Sequence, residues 1–97
     1  MPSSEEIQKK LIETICNVQL DSGEPEPRLT IKSCPMKDLK GFDSPLGVVV
    51  TGLVAIGLGI EIPLDLNVFV DDKKQRLTIE QSAALICSVV AKQVPSK

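Results

Sequence analysis

The chain has 97 residues, which is the length of one domain with a single hydrophobic core. Eleven basic and thirteen acidic residues give a net charge of −2, and the only aromatic residues are two Phe. No nucleic-acid partner is expected, because such proteins need clustered positive charge and often aromatic side chains on which bases stack. The sequence has no His, the commonest general acid or base and the commonest metal ligand. We therefore predict one domain over residues 1–97 that is not an enzyme, with no catalytic residue and no metal site of its own.

The three cysteines, Cys16, Cys34 and Cys87, are widely spaced. Without a Cys-x-x-Cys pair or a His, they indicate neither a zinc site nor a disulfide framework. Their odd number, together with a charged rather than apolar N-terminal sequence, favours a reducing cytoplasmic location. Cys16 and Cys87 fall in apolar periodic segments and are predicted to be small core residues. Cys34 falls in a loop, where a reactive thiol is the other interpretation.

The first segment is predicted to be a helix that begins after Ser3. Ser3 and Glu6 have the spacing of a capping box, in which each side chain accepts a hydrogen bond from the backbone N–H of the other residue. Apolar residues then recur at helical spacing, at Ile7, Leu11, Ile15, Val18 and Leu20. The helix is expected to end near Asp21-Ser22-Gly23.

A long loop is predicted from residue 21 to residue 43, because three prolines and two glycines interrupt any regular pattern there. A loop of this length in a small domain is either functional or held down by apolar side chains. The side chains expected to hold it on the core are those of Leu29, Ile31, Met36, Leu39 and Phe42.

The next segment carries no charged residue from Pro45 to Ile60. It is shorter than the roughly 20 residues that a membrane-spanning helix needs, so no membrane span is predicted. Its valines and glycines favour a strand, whereas Asp43-Ser44-Pro45 is typical of a helix start, with Ser44 as the cap and Pro45 at the first helical position. We predict a second helix here.

Two further helices are expected in the last third of the chain. Residues 65–70 are short and apolar and are predicted to form one or two helical turns. Thr78 and Gln81 repeat the capping-box spacing, and Pro95 is expected to end the closing helix. The apolar positions of that helix are Ile79, Ala83, Ile86, Val90 and Val94. The predicted fold class is all-α: a small four-helix bundle with a long loop between the first and second helices.

The run from Asp38 to Ser44 resembles the attachment motif of acyl carrier proteins and related phosphopantetheine-binding carriers, in which an Asp-Ser pair opens the second helix. Glu61-Ile62-Pro63 matches the family's Glu-Ile-Pro ending of that helix, in register with Ser44. Leu77–Gln81 resembles the start of the family's last helix, so the resemblance covers about residues 5–90. It also places four residues at the family's core positions: Val48, Val54, Leu58 and Ile62.

The resemblance implies an acyl-carrier-type bundle in which Ser44 carries a 4′-phosphopantetheine arm derived from coenzyme A. It implies two kinds of partner: a magnesium-dependent phosphopantetheinyl transferase, which Asp43 would help to engage, and acyl-loading, acyl-transferring or condensing enzymes of fatty acid or polyketide biosynthesis. The arm would hold an acyl or aminoacyl group as a thioester. A phosphodiester at a helix N-terminus is physically favourable, and the N–H groups of Leu46 and Gly47 are expected to be free to face it.

The sequence departs from the family pattern in its second helix, which lacks the acidic residues that carriers usually present to partner enzymes. Pro45 also stands where the family usually has Leu. Leu46, Val49, Ala55 and Ile56 are expected to face outward instead. This apolar face could be a docking surface, a homodimer contact, or a surface covered by the chain's own long loop. The alternative function is an unmodified protein of the carrier fold that acts as an interaction module through this helix.

Overall fold

The computed structural model describes residues 3–23, 28–39, 42–62, 66–71, 73 and 75–93, with only the backbone of Ser44, Lys92 and Gln93. These residues are mostly helical and contain no strand, which confirms the all-α class. Helix α1 packs against both α3 and α4, and α2 is a single turn in the long loop. The four described helices are α1 (Ser4–Asp21), α2 (Pro35–Asp38), α3 (Ser44–Leu58) and α4 (Ile79–Gln93).

Helix α1 begins as its sequence predicts. The Oγ of Ser3 accepts a hydrogen bond from the Glu6 N–H at 3.2 Å, and the Ser3 N–H donates to Glu6 Oε1 at 3.4 Å, so the capping box is confirmed. The helix ends at Asp21, and Gly23 follows with a φ of 83°, a conformation that costs glycine little. Ile7, Leu11 and Ile15 are fully buried, whereas Leu20 is half-exposed and lies off the buried face.

The long loop is held to the core and to α4. Phe42 is buried, and Leu29, Met36 and Leu39 are partly buried against the core, as expected. Ile31 is exposed instead, but its carbonyl accepts a hydrogen bond from the Glu80 N–H at 2.9 Å. The Ser33 carbonyl likewise accepts one from the Ile79 N–H at 2.9 Å. The loop therefore bonds to the first turn of α4, where N–H groups have no partner within the helix.

The predicted short helix at residues 65–70 is wrong for the part that the structure describes, residues 66–70. Val68 and Phe69 form a turn, and Val70 pairs with Arg76 in an isolated antiparallel bridge. The backbone N–H groups here donate to side chains: Val68 to Thr51 Oγ1 at 3.2 Å and Phe69 to Asn67 Oδ1 at 2.9 Å. Because these bonds replace helical ones, the segment buries Val68 and Phe69 without forming a helix.

The capping box of α4 is confirmed. The Thr78 N–H donates to Gln81 Oε1 at 2.9 Å, and the Gln81 N–H donates to Thr78 Oγ1 at 3.2 Å. Val94 and the expected stop at Pro95 lie outside the described residues. Ile79, Ala83 and Ile86 are fully buried and belong to the same core as the buried residues of α1 and α3. The other buried members of that core are Ile7, Leu11, Ile15, Phe42, Val50, Val54, Val68 and Phe69.

Candidate functional site at the start of helix α3

The segment without charges forms a helix, α3, and its start brings Asp43 and Ser44 together. Asp43 is the N-cap, and its Oδ1 accepts a hydrogen bond from the Leu46 N–H at 3.1 Å. The backbone of Ser44 is the first helical residue, and Pro45 is the second. The prediction that Ser44 caps the helix is therefore wrong, because the carboxylate of Asp43 reaches the third helical N–H from one position earlier.

The expectation of free N–H groups at Leu46 and Gly47 is also wrong. Leu46 donates to the Asp43 carboxylate, and Gly47 donates to the Asp43 carbonyl at 2.9 Å. The Asp43 carboxylate already interacts with the positive end of the α3 dipole. Asp43 and Pro45 are both exposed, so the residues on either side of Ser44 are open to solvent.

Phe42 fixes the position of this helix start from the core side. Only 4% of its surface is exposed, and its ring meets the ring of Phe69 edge to face, with centroids 5.2 Å apart and an interplanar angle of 87°. Phe42 immediately precedes Asp43, and Leu46 packs partly against the core one turn later. The Asp43-Ser44 pair therefore lies between two anchored side chains, at a defined place on the surface.

The buried face of α3 differs from the one that the family resemblance implied. Val54 is buried as expected, but Val48 is only half-buried, and Val50 is fully buried in its place. Val50 lies four residues before Val54 and so shares its face, whereas Val48, six residues before, points elsewhere. Leu58 and Ile62 are partly buried against the core. Pro63, the last residue of the Glu-Ile-Pro match, lies outside the described residues, as do Lys40 and Gly41 of the attachment-motif run.

A polar contact inside α3 is not evident from the sequence. Thr51 is buried among apolar neighbours, and its hydroxyl donates to the Gly47 carbonyl at 2.7 Å. The same oxygen accepts the hydrogen bond from the Val68 N–H. Gly47 is buried as well, and the Asn67 side chain lies within 3 Å of where a Cβ at Gly47 would be. The only sequence signal for this contact is a hydroxyl residue and a glycine one turn apart in an apolar helix.

The outward face of α3 carries three exposed apolar side chains, which we call the apolar ridge: Val49 (53% exposed), Leu53 (43%) and Ile56 (79%). They are spaced at i, i+4 and i+7, so they lie along one side of the helix. The expectation for Val49 and Ile56 is confirmed. Ala55 is buried, and Leu46 packs partly against the core, so the outward prediction is wrong for those two residues.

The described part of the long loop, residues 28–39 and 42–43, does not cover the apolar ridge. Its side chains at Leu29 and Met36 pack against the core, while Val49 and Ile56 stay exposed. Coverage of this face by Leu29 or Met36, which the sequence allowed, is therefore not what the structure shows. Beside the ridge lies a cavity of about 340 Å³, lined by Gly52, Ala55, Ile56, Ile60, Glu61 and Ile62.

Gly59 ends α3 in the left-handed conformation, with φ 68°, which glycine adopts without strain. It caps the helix and does not occupy the helix interior.

The cysteines are half-buried, and Cys87 packs against the core as predicted. Among the helices that the structure describes, none combines the length and the hydrophobicity that a membrane-spanning helix needs. Within the described part of the chain, no group of three or more His, Cys, Asp or Glu side chains has the geometry to hold a metal ion. Comparisons of the sequence with family models and curated proteins, and of the fold with solved structures, gave no match.

Proposed function

We propose that this chain is an acyl carrier protein of the phosphopantetheine-binding type, with the arm attached to Ser44. The observation that carries the proposal is the Asp43-Ser44 pair at an exposed helix start in an all-α bundle. The arm would supply a thiol that holds an acyl or aminoacyl group as a thioester. The chain's own role is to present that group to partner enzymes, so the residues around Ser44 position it and take no part in bond making.

The surroundings of Ser44 fit such an arm. Asp43 and Pro45 are exposed, which leaves room for a modifying enzyme to approach. Asp43 holds the helix start through Leu46 and also presents a negative charge that a transferase could bind. Phe42 anchors the chain to the core one residue before the pair. We therefore assign Asp43 a positioning role and Ser44 the attachment role.

Co-expression with a broad-specificity phosphopantetheinyl transferase tests this assignment. We expect intact-mass spectrometry to show one addition of about 340 Da in the wild-type protein and none in the Ser44→Ala variant. Asp43→Asn retains an oxygen that can cap α3 but removes the charge, so it should fold normally and be modified more slowly. A Ser44→Ala protein that still gains this mass, or a wild-type protein that never does, would contradict the proposal.

The apolar ridge favours a second candidate function, an interaction module that binds a protein through α3. Three large apolar side chains on one helix side form the kind of surface that a partner helix or a second copy can cover. This function does not require Ser44 to be modified. Two measurements separate the candidates: whether Ser44 gains the mass of the arm, and whether a ridge variant weakens binding through α3.

Self-association through the ridge is the simplest form of the second candidate. We expect light scattering to show concentration-dependent association of the wild-type protein that Val49→Glu reduces, because the added charge would have to lose its hydration in the contact. Ala84→Glu is the matched control, since it adds the same charge at an exposed position of α4. Wild-type protein that stays monomeric, or equal weakening by both variants, would exclude the ridge as a contact between copies.

A further inference from the structure

A second concave site lies away from the start of α3, between α2 and the residues that precede α4. Its volume is about 680 Å³, which is within the range of small-molecule sites. We call it the basic cleft, because three of its lining side chains are cationic. The lining residues used below are Lys32, Lys37, Asp38, Gln75, Arg76 and Thr78.

Of the three cationic side chains of the basic cleft, only Lys32 forms an ion pair with a described carboxylate. Lys32 forms an ion pair with Glu80, with 2.9 Å between Nζ and Oε1. The Oδ2 of Asp38, the acidic lining residue, accepts a hydrogen bond from the Cys34 N–H at 2.8 Å. Among the described residues, no carboxylate lies within ion-pair distance of Lys37 or Arg76. An anion in the cleft would therefore meet Lys37 and Arg76, neither of which is ion-paired with a described carboxylate, and would also lie near the negative charge of Asp38.

Apart from the Asp38 carboxylate, these lining side chains can all donate hydrogen bonds, which suits a ligand that accepts them. The Arg76 guanidinium presents a planar set of N–H donors, and Lys37 adds an ammonium. Thr78 Oγ1 accepts from the Gln81 N–H, so its hydroxyl hydrogen is available to donate. Gln75 adds a side-chain amide. Phosphate oxygens match this set, because they carry negative charge and accept several hydrogen bonds at once.

Both walls of the cleft are held in place by backbone hydrogen bonds. The wall that carries Lys32 is bonded to α4 on both sides of that residue, through the carbonyls of Ile31 and Ser33. The wall that carries Arg76 is fixed by its bridge to Val70 and by the bond from the Asp71 N–H to the Gln75 carbonyl at 3.0 Å. Binding would not have to order these two backbone segments first.

We propose that the basic cleft binds a small molecule that carries phosphate groups. The proposal is independent of Ser44 and of the modification proposed for it, because the cleft is built from other residues. Lys37 and Arg76 contact the phosphate oxygens, Gln75 and Thr78 donate neutral hydrogen bonds, and Lys32 contributes through its charge while it remains paired with Glu80.

Titration of the ¹⁵N-labelled protein with pyrophosphate at constant ionic strength tests the proposal. We expect saturable shifts of backbone amide signals that concentrate at residues 32–38 and 75–78. The Lys37→Gln, Arg76→Gln double variant should bind at least about tenfold more weakly, because it loses two charge-assisted contacts. The matched control, Lys9→Gln with Lys73→Gln, removes two exposed lysines that do not line the cleft and should bind like the wild type.

Two outcomes would overturn the assignment. The first is that the signal shifts do not saturate, or that both double variants bind pyrophosphate equally weakly. Either result would reflect a general attraction of anions to lysines. The second comes from co-sedimentation with phosphatidylcholine vesicles that contain phosphatidic acid. Vesicle binding that needs Lys37 and Arg76, without saturable binding of free pyrophosphate, would make the cleft a membrane-surface contact and not a small-molecule site.

Discussion

Replacing Phe42 with alanine is expected to lower the free energy of unfolding by about 3–5 kcal/mol. Phe42 is almost fully buried, and its ring packs edge to face on Phe69, so truncation removes buried area and leaves a cavity in the core. The measurement is urea unfolding followed by circular dichroism. Because Phe42 also anchors the residue before Asp43, modification of Ser44 should slow in the same variant.

Ile31→Ala is the control for Phe42→Ala, since both residues belong to the same long loop. The Ile31 side chain is 37% exposed, and its structural contact is made by its carbonyl, which the substitution retains. We expect a change of no more than about 0.5 kcal/mol. Equal destabilisation by the two variants would contradict the role of the buried Phe42 side chain as an anchor of the loop on the core.

Two glycines in α3 should respond to alanine with opposite signs. A Cβ at Gly47 would lie 2.6 Å from Asn67 Nδ2 and 2.7 Å from Asn67 Oδ1. The Asn67 side chain cannot simply move away, because its Oδ1 accepts a hydrogen bond from the Phe69 N–H. Gly47→Ala is therefore expected to lower the free energy of unfolding by about 1–3 kcal/mol.

Gly52→Ala is the matched variant, five residues later in the same helix. No described atom outside the helix backbone and the adjacent residues lies within 4 Å of a Cβ at Gly52. We expect the alanine variant to be more stable by up to about 1 kcal/mol, because alanine favours the helix. Urea unfolding of both variants under the same conditions measures the two changes in the free energy of unfolding. Destabilisation by Gly52→Ala as well would contradict the expectation that a Cβ at Gly52 meets no neighbouring atom.

The sequence predicted the helix starts best where local capping patterns are complete. The residues of the pairs Ser3–Glu6 and Thr78–Gln81 bond to each other within one turn, so both partners can be read from the local sequence. At the start of α3, Asp43 and Ser44 are both good capping residues, and the backbone geometry decides between them in favour of Asp43. The candidate attachment residue was found from the sequence, but its position in the first turn was not.

The wrong predictions for residues 66–70 and for the buried face of α3 have the same physical cause, which is contact between segments that are distant in the sequence. Residues 66–70 bond to side chains, and one of these belongs to Thr51, which lies 17 residues before its partner. The inward face of α3 is set by packing against α1 and by the close approach of Asn67 to Gly47. The hydrophobic pattern of α3 does not predict these contacts, because almost every position in the helix is apolar and no face stands out as the buried one.

The most direct test of the carrier proposal is to locate the added group by fragmentation of the modified protein. The wild-type chain, co-expressed with the transferase, should yield a single peptide with an addition of about 340 Da, and its fragment ions should place that addition on Ser44. An addition on any other residue, or an unmodified Ser44 after full exposure to an active transferase, would contradict the proposal.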